Sequence, residues 1–158
     1  MAYPASLDNL VDNVDNVLAT HINTLQAALG ISAWVDWTPT VTQSGSVTVT
    51  VTRAKYKLIN KVCHLNVLLA ITGAGTANNA IVIAGQPAAI QTPINNVIIG
   101  TGMIFDNGTA WYQGSLYVNG ATDWRITGHL ELNVMGVAPN FALANGDIIY
   151  LNGAYEVG

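Results

Sequence analysis

Hydrolytic, nucleophilic or metal chemistry in this 158-residue chain would have to be built from three histidines, one cysteine and nine acids. His21, His64 and His129 lie far apart, without the HxH or HxxxH spacing by which one strand or helix turns two imidazoles toward a zinc ion. Cys63 is the single cysteine, so neither an internal disulfide nor a thiolate cluster can form. In VCHLNVLLAI it alternates onto the same side as Leu65, Val67, Leu69 and Ile71, which assigns it to core packing. A GxSxG nucleophile turn is missing. Asp106, Asp123 and Asp147 stand beside turn residues, where a carboxylate accepts backbone N–H groups. A glycosidase needs two carboxylates at a set separation across a sugar, and no spacing here singles out such a pair. GAGTANNAIVIAGQP has a phosphate-loop flavour but lacks the third glycine, the lysine and a following helix, so it is expected to be a loop between strands. The expectation is a protein without catalysis, metal or cofactor.

Charge narrows the partners. Four of the five basic residues fall in RAKYKLINK, as Arg53, Lys55, Lys57 and Lys61. On a strand, Arg53, Lys55 and Lys57 share one side and form a basic stripe. That stripe is either a solvated strand face or a contact for an acidic neighbour or an anionic polysaccharide. Nucleic acid is not expected, because the chain carries a net charge of −4 and has no wide basic surface interleaved with aromatic residues. With 9% charged and 51% hydrophobic residues, the surface is poor in charge for a monomer, which suggests cover by other subunits. A Thr/Asn-rich β surface is the other explanation. No apolar run reaches the length of a membrane span, and MAYPASLDN has neither the basic region nor the apolar core of a secretion signal. The expectation is therefore a chain that stays where it is made or leaves without a signal, and Asn107-Gly108-Thr109, formally a glycosylation sequon, is expected to be a turn.

Two kinds of element must position these residues. Between Ser6 and Gly30, the residues Leu7, Val11, Val14, Leu18, Ile22, Leu25 and Leu29 recur at threes and fours and predict an amphipathic helix. Leu7, Leu18 and Leu29 are spaced by eleven, as are Val11 and Ile22, and Val14 and Leu25, a period that gives nearly straight or slightly right-handed packing. Ser6 suits an N-cap, Asp8 favours the positive helix end and Gly30 suits a left-handed C-cap. A helix of this length is marginal alone. Its stripe either docks on the β domain of its own chain or joins copies in a short parallel, three-stranded bundle, with His21 beside it. Residues 1–30 thus form a helical attachment or trimerisation segment, and 31–40 a linker with two tryptophans and a proline.

Residues 41–158 are expected to fold as an antiparallel, jelly-roll-like β-sandwich, since short alternating segments follow one another with no helical pattern between them. Val47, Val49 and Val51 share one phase, while Ala54, Tyr56 and Leu58 share the other, which predicts a bulge or strand break near 52–53. Asn107-Gly108, Asn119-Gly120, Asn145-Gly146 and Asn152-Gly153 each predict a tight turn. Trp111, Tyr112, Tyr117 and Trp124 are available to stack on sugars or to fill the core, and core packing is expected.

The run TPTVTQSGSVTVTVTRAKYKLINKVCHLNVLLAITGAGTANNAIVIAGQP, then GTGMIFDNGTAWYQG and PNFALANGDIIYLNGAYEVG, resembles a β module at the C-terminal end of bacteriophage tail-fibre and minor structural proteins. YPASLDNLVDN and THINTLQAALG are similar to the helical lead-in of such modules. Asn60 replaces the usual glycine before Lys61, and Gln86 stands where a leucine often precedes Pro87. The resemblance implies a homotrimer on a phage particle, assembled in the host cytoplasm, with the major capsid protein or another virion protein as partner. A capsid decoration protein or short head fibre is the first expectation, since few residues precede the β domain to serve as a tail adaptor. A receptor-binding tail fibre that recognises host-surface polysaccharide is the alternative.

Overall fold

A computed structural model describes residues 21–25, 33–87, 96–120, 123–128 and 133–158. Its ten strands are β1 (Val35–Asp36), β2 (Thr40–Gln43), β3 (Gly45–Val47), β4 (Val49–Ile59), β5 (Val62–Ile71), β6 (Val82–Ala84), β7 (Ile98–Asp106), β8 (Ala110–Asn119), β9 (Asp123–Gly128) and β10 (Ile148–Glu156). All pair antiparallel in one sheet, in the order β1-β4-β5-β10-β7-β8-β9-β6-β2-β3. The domain is thus mainly β and antiparallel, as expected. Where a jelly-roll-like sandwich would set two sheets against each other, these strands form a single sheet curled into a half-barrel. β3 and β4 stand near opposite ends of the order yet are separated only by Thr48, whose carbonyl accepts Thr72 N–H (2.9 Å) and Gly73 N–H (3.1 Å). One bend in one strand therefore joins the two ends of the sheet and makes it curl.

Alternation decides what the curl encloses. Cys63, Leu65, Val67, Leu69 and Ile71 point inward from β5 and are buried, as the sequence pattern predicts. Ile149 continues this face on the adjacent β10, paired with Leu69, and Ile104, Leu116 and Ile126 belong to the same core. Trp124 fills the middle, fully buried, edge-on to Trp37 (centroids 5.7 Å apart) and Tyr155 (5.6 Å). The stretch read as a linker thus contributes both β1, paired to β4, and a ring packed on the core.

The bulge is where the phase change puts it. Pairing with β5 steps from Val51↔Leu69 to Arg53↔Leu68, so Thr52 is the extra residue, and Ala54 turns inward after it. Asn60 takes φ 52° in the two-residue turn between the paired residues Ile59 and Val62. It holds a left-handed conformation that Asn tolerates and glycine favours, so asparagine in place of glycine preserves the turn.

Three of the four Asn-Gly pairs lie in turns with a left-handed glycine: Gly108 (φ 83°), Gly120 (φ 80°) and Gly146 (φ 98°). Asn152-Gly153 is a correction. It lies inside β10, paired on one side with Asn66 and Leu65 and on the other with Thr101 and Gly100. A Cβ on Gly153 would lie 2.5 Å from Ile99 O, so this glycine serves close strand approach rather than chain reversal.

Gln43 is, with Asp147, one of two buried polar residues among those described. Its Nε2 donates to Phe141 O (2.8 Å) and Asn79 O (3.2 Å), and its Oε1 accepts Leu143 N–H (2.9 Å). Fully buried, it ties β2 to the loops at 72–81 and 133–147. Gly75 is required beside it, because a Cβ there would overlap Gln43 Oε1.

Residues 21–25 are helical, and Ile22 and Leu25 expose 49% and 60% of their surface. The other stripe residues, Leu7, Val11, Val14, Leu18 and Leu29, lie outside the described residues, as do most of the segment 1–30 and His129.

Candidate functional site

The outward-facing residues of the middle strands lie in register rows, because directly paired residues of an antiparallel sheet share a face. One row crosses Arg53, Leu68, Tyr150, Met103 and Gln113. The next crosses Lys55, Asn66, Asn152, Thr101, Ser115 and Thr127, a run of amides and hydroxyls behind one lysine. On the other side of the first row, Ile148 pairs with Phe105 and Phe105 with Trp111. With neighbouring strands about 4.8 Å apart, a row of six strands spans roughly 24 Å.

A groove of about 360 Å³ runs along the first two rows. Leu68 and Met103 contribute apolar lining, and Asn66, Thr101, Gln113 and Asn152 supply hydroxyl and amide groups. Among the described residues, Arg53 brings the one charged side chain of the lining, and no carboxylate takes part. Beside it, Trp111 packs on Phe105 (centroids 4.5 Å apart) and reaches Tyr150 (6.1 Å), while 55% of its own surface stays exposed. The ring is therefore held in place and open to solvent at once.

The basic stripe is divided by these neighbours. Lys55 Nζ lies 3.0 Å from Asp36 Oδ1, and Lys57 Nζ sits 5.2 Å over the Trp34 ring. Both pairs are solvent-exposed and individually weak, yet they point two of the three cations toward β1 and the segment before it. Arg53 alone turns to the groove, and no ion pair is formed by it among the described residues. The sequence stripe therefore resolves into one groove residue and two residues that dock the start of the domain.

The remaining candidates for chemistry serve structure. Burial pushes the Cys63 thiol up, partly countered by a hydrogen bond with Tyr155. Asp147, almost wholly buried, accepts Asn107 N–H (2.9 Å) and Ala144 N–H (2.8 Å), joining two of the Asn-Gly turns. Asp106 is held above the usual carboxylate range by burial and then by the nearby Asp147 charge, with a Thr109 hydrogen bond opposing. Among the described residues, no three His, Cys, Asp or Glu side chains come together to hold a metal ion. The four aromatic residues in question divide: Trp124 is core, Tyr112 stacks on Phe141 (4.6 Å), Tyr117 lines a second shallow groove with Ile98, and Trp111 is outward.

Asn66, Thr101, Gln113, Tyr150 and Asn152 did not stand out in the sequence. Their local signal is a polar residue at an outward position of a strand whose inward positions are mostly apolar or glycine. Which strands lie side by side, and in what register, is needed to bring them together. No family model, curated protein or solved structure matches the chain.

Proposed function

We propose that the protein is a non-enzymatic surface protein of a bacteriophage particle, a homotrimer that serves as a capsid decoration protein or short head fibre. The observation that carries this reading is the apolar helical stripe, whose described members Ile22 and Leu25 stand exposed on the single chain. An amphipathic helix with an eleven-residue apolar repeat is marginal alone and is stabilised by packing its stripe against copies of itself. The low charge of the chain agrees, since mutual cover by subunits removes the need for a charged surface. The major capsid protein or another virion protein is the partner at one end.

The test has two parts. Light scattering of purified protein is expected to give three chains, and Leu18→Asp with Leu25→Asp is expected to give monomers; a wild-type monomer overturns the trimer. Antibody-gold labelling of intact particles is expected to mark the head.

A second reading, a receptor-binding tail fibre, is favoured by one specific observation, the groove with amides, an arginine and an open tryptophan ring. Labelling confined to the tail selects it.

A further inference from the structure

We infer that the outer groove of β4, β5, β10, β7 and β8 is a binding site for an acidic oligosaccharide, with Arg53 contacting its carboxylate and Trp111 stacking on a sugar face. This goes beyond the decoration reading and supplies a ligand class for the second one, resting on the same groove.

The strands that floor the groove exclude one large class of ligand. β5, β10 and β7 lie in mid-sheet, hydrogen-bonded on both sides, so they have no free edge for an extended peptide to join. Recognition there must run through side chains. Beside the apolar Leu68 and Met103 and the charged Arg53 stand three amides, a threonine and a tyrosine, each with a donor, an acceptor or both, which suits a ligand that sets hydroxyls against an apolar ring face. The groove volume of about 360 Å³ falls in the range of small-ligand sites.

Charge narrows the class further. Among the described groove-lining residues Arg53 is the sole ionised group, and its planar fork matches a carboxylate in a bidentate way. Lys55 and Lys57 are engaged by Asp36 and Trp34, so the anion contact falls to Arg53. A nucleic acid would need many phosphate contacts rather than one, and the net charge of −4 opposes it. An acidic sugar that sets one carboxylate on Arg53 and its hydroxyls on the amides satisfies both the single cation and the amide row. Trp111 completes the site, for its exposed face is fixed by Phe105 and Tyr150 before any ligand arrives.

The experiment uses the full chain in its native assembly. Calorimetric titrations are run with oligogalacturonate, oligoglucuronate and sialyl-oligosaccharides, each beside its neutral counterpart. At least one acidic member is expected to bind saturably and quench tryptophan fluorescence, with its neutral counterpart at least about tenfold weaker. Arg53→Gln is expected to abolish that preference, Trp111→Ala to weaken the acidic and neutral members alike, and Lys61→Gln, an equal loss of charge away from the groove, to change neither. The inference is overturned if no acidic member binds, if acidic and neutral members bind equally, or if Arg53→Gln leaves the preference intact. It is overturned in another way if Trp111 is shielded from acrylamide in the native assembly, which makes the face a contact between copies. Particle labelling is independent of all these outcomes, so failure of the ligand assignment and failure of the head or tail reading are told apart.

Discussion

Trp124 and Trp111 sit on neighbouring strands of the same sheet and face opposite ways. Trp124 on β9 points inward, has no exposed surface and meets Trp37 and Tyr155 edge-on. Trp111 on β8 points outward, braced by Phe105 and Tyr150 but more than half open. A ring enclosed on every side contributes to stability through the area it removes from water. A ring fixed by two neighbours and left uncovered contributes less, and keeps its free face for a partner. The inner face is accordingly mostly apolar, while the outer face sets aromatic, apolar, amide and basic side chains side by side.

Substitution can break that contrast, and the largest effect belongs inside. Trp124→Ala is expected to cost about 4 kcal/mol in chemical unfolding; a loss below about 1 kcal/mol would mean that the core is not organised around this ring. Gln43→Leu removes the partners of Leu143 N–H, Phe141 O and Asn79 O at once. A loss of about 3 kcal/mol is expected, since buried groups left unpaired are costly, and a neutral result would show that the loops close without it. Asn60→Ala forces a β-carbon without a local hydrogen-bonding side chain into φ 52° and is expected to cost about 1 kcal/mol, whereas Asn60→Gly stays within a few tenths. Trp111→Ala, on the open face, is expected to stay under about 1 kcal/mol in the same assay. If it approached the Trp124 value, the outer face would be packing surface and the contrast would collapse.

The smallest effect concerns Asp106. Burial and the Asp147 charge raise its folded-state value, so between the ordinary carboxylate range and that raised value the folded state holds more protons than the unfolded state. Stability contributed by this group is then present at low pH and falls as pH rises through that window. Asp106→Asn is expected to be slightly more stable than wild type at pH 7, with the difference vanishing below the window. Unfolding of the two proteins compared across pH checks this, and a variant less stable at pH 7 would show that the carboxylate is a favourable partner there.

Much of the fold is legible along the chain because strand periodicity is local. VCHLNVLLAI announces its inward residues by alternation, and the reversal between Val51 and Ala54 announces the bulge. Neither depends on knowing which strand lies alongside. The candidate groove is legible only in part: Arg53 belongs to a visible stripe, but Asn66, Thr101, Gln113 and Asn152 look like ordinary outward polar residues. Strand order brings them together, since β10, last in the chain, inserts between β5 and β7.

The same distinction explains the Asn152-Gly153 dipeptide and Gln43. An Asn-Gly pair has the same intrinsic freedom wherever it occurs, and close flanking strands decide whether the glycine reverses the chain or admits a neighbour's backbone. For Gln43, the sequence determines a polar residue on an alternating strand. The tertiary structure decides that it is buried and satisfied, because its partners Phe141 and Leu143 lie 98 and 100 residues away. Local alternation places side chains on one face or the other, whereas long-range pairing determines what each of them meets.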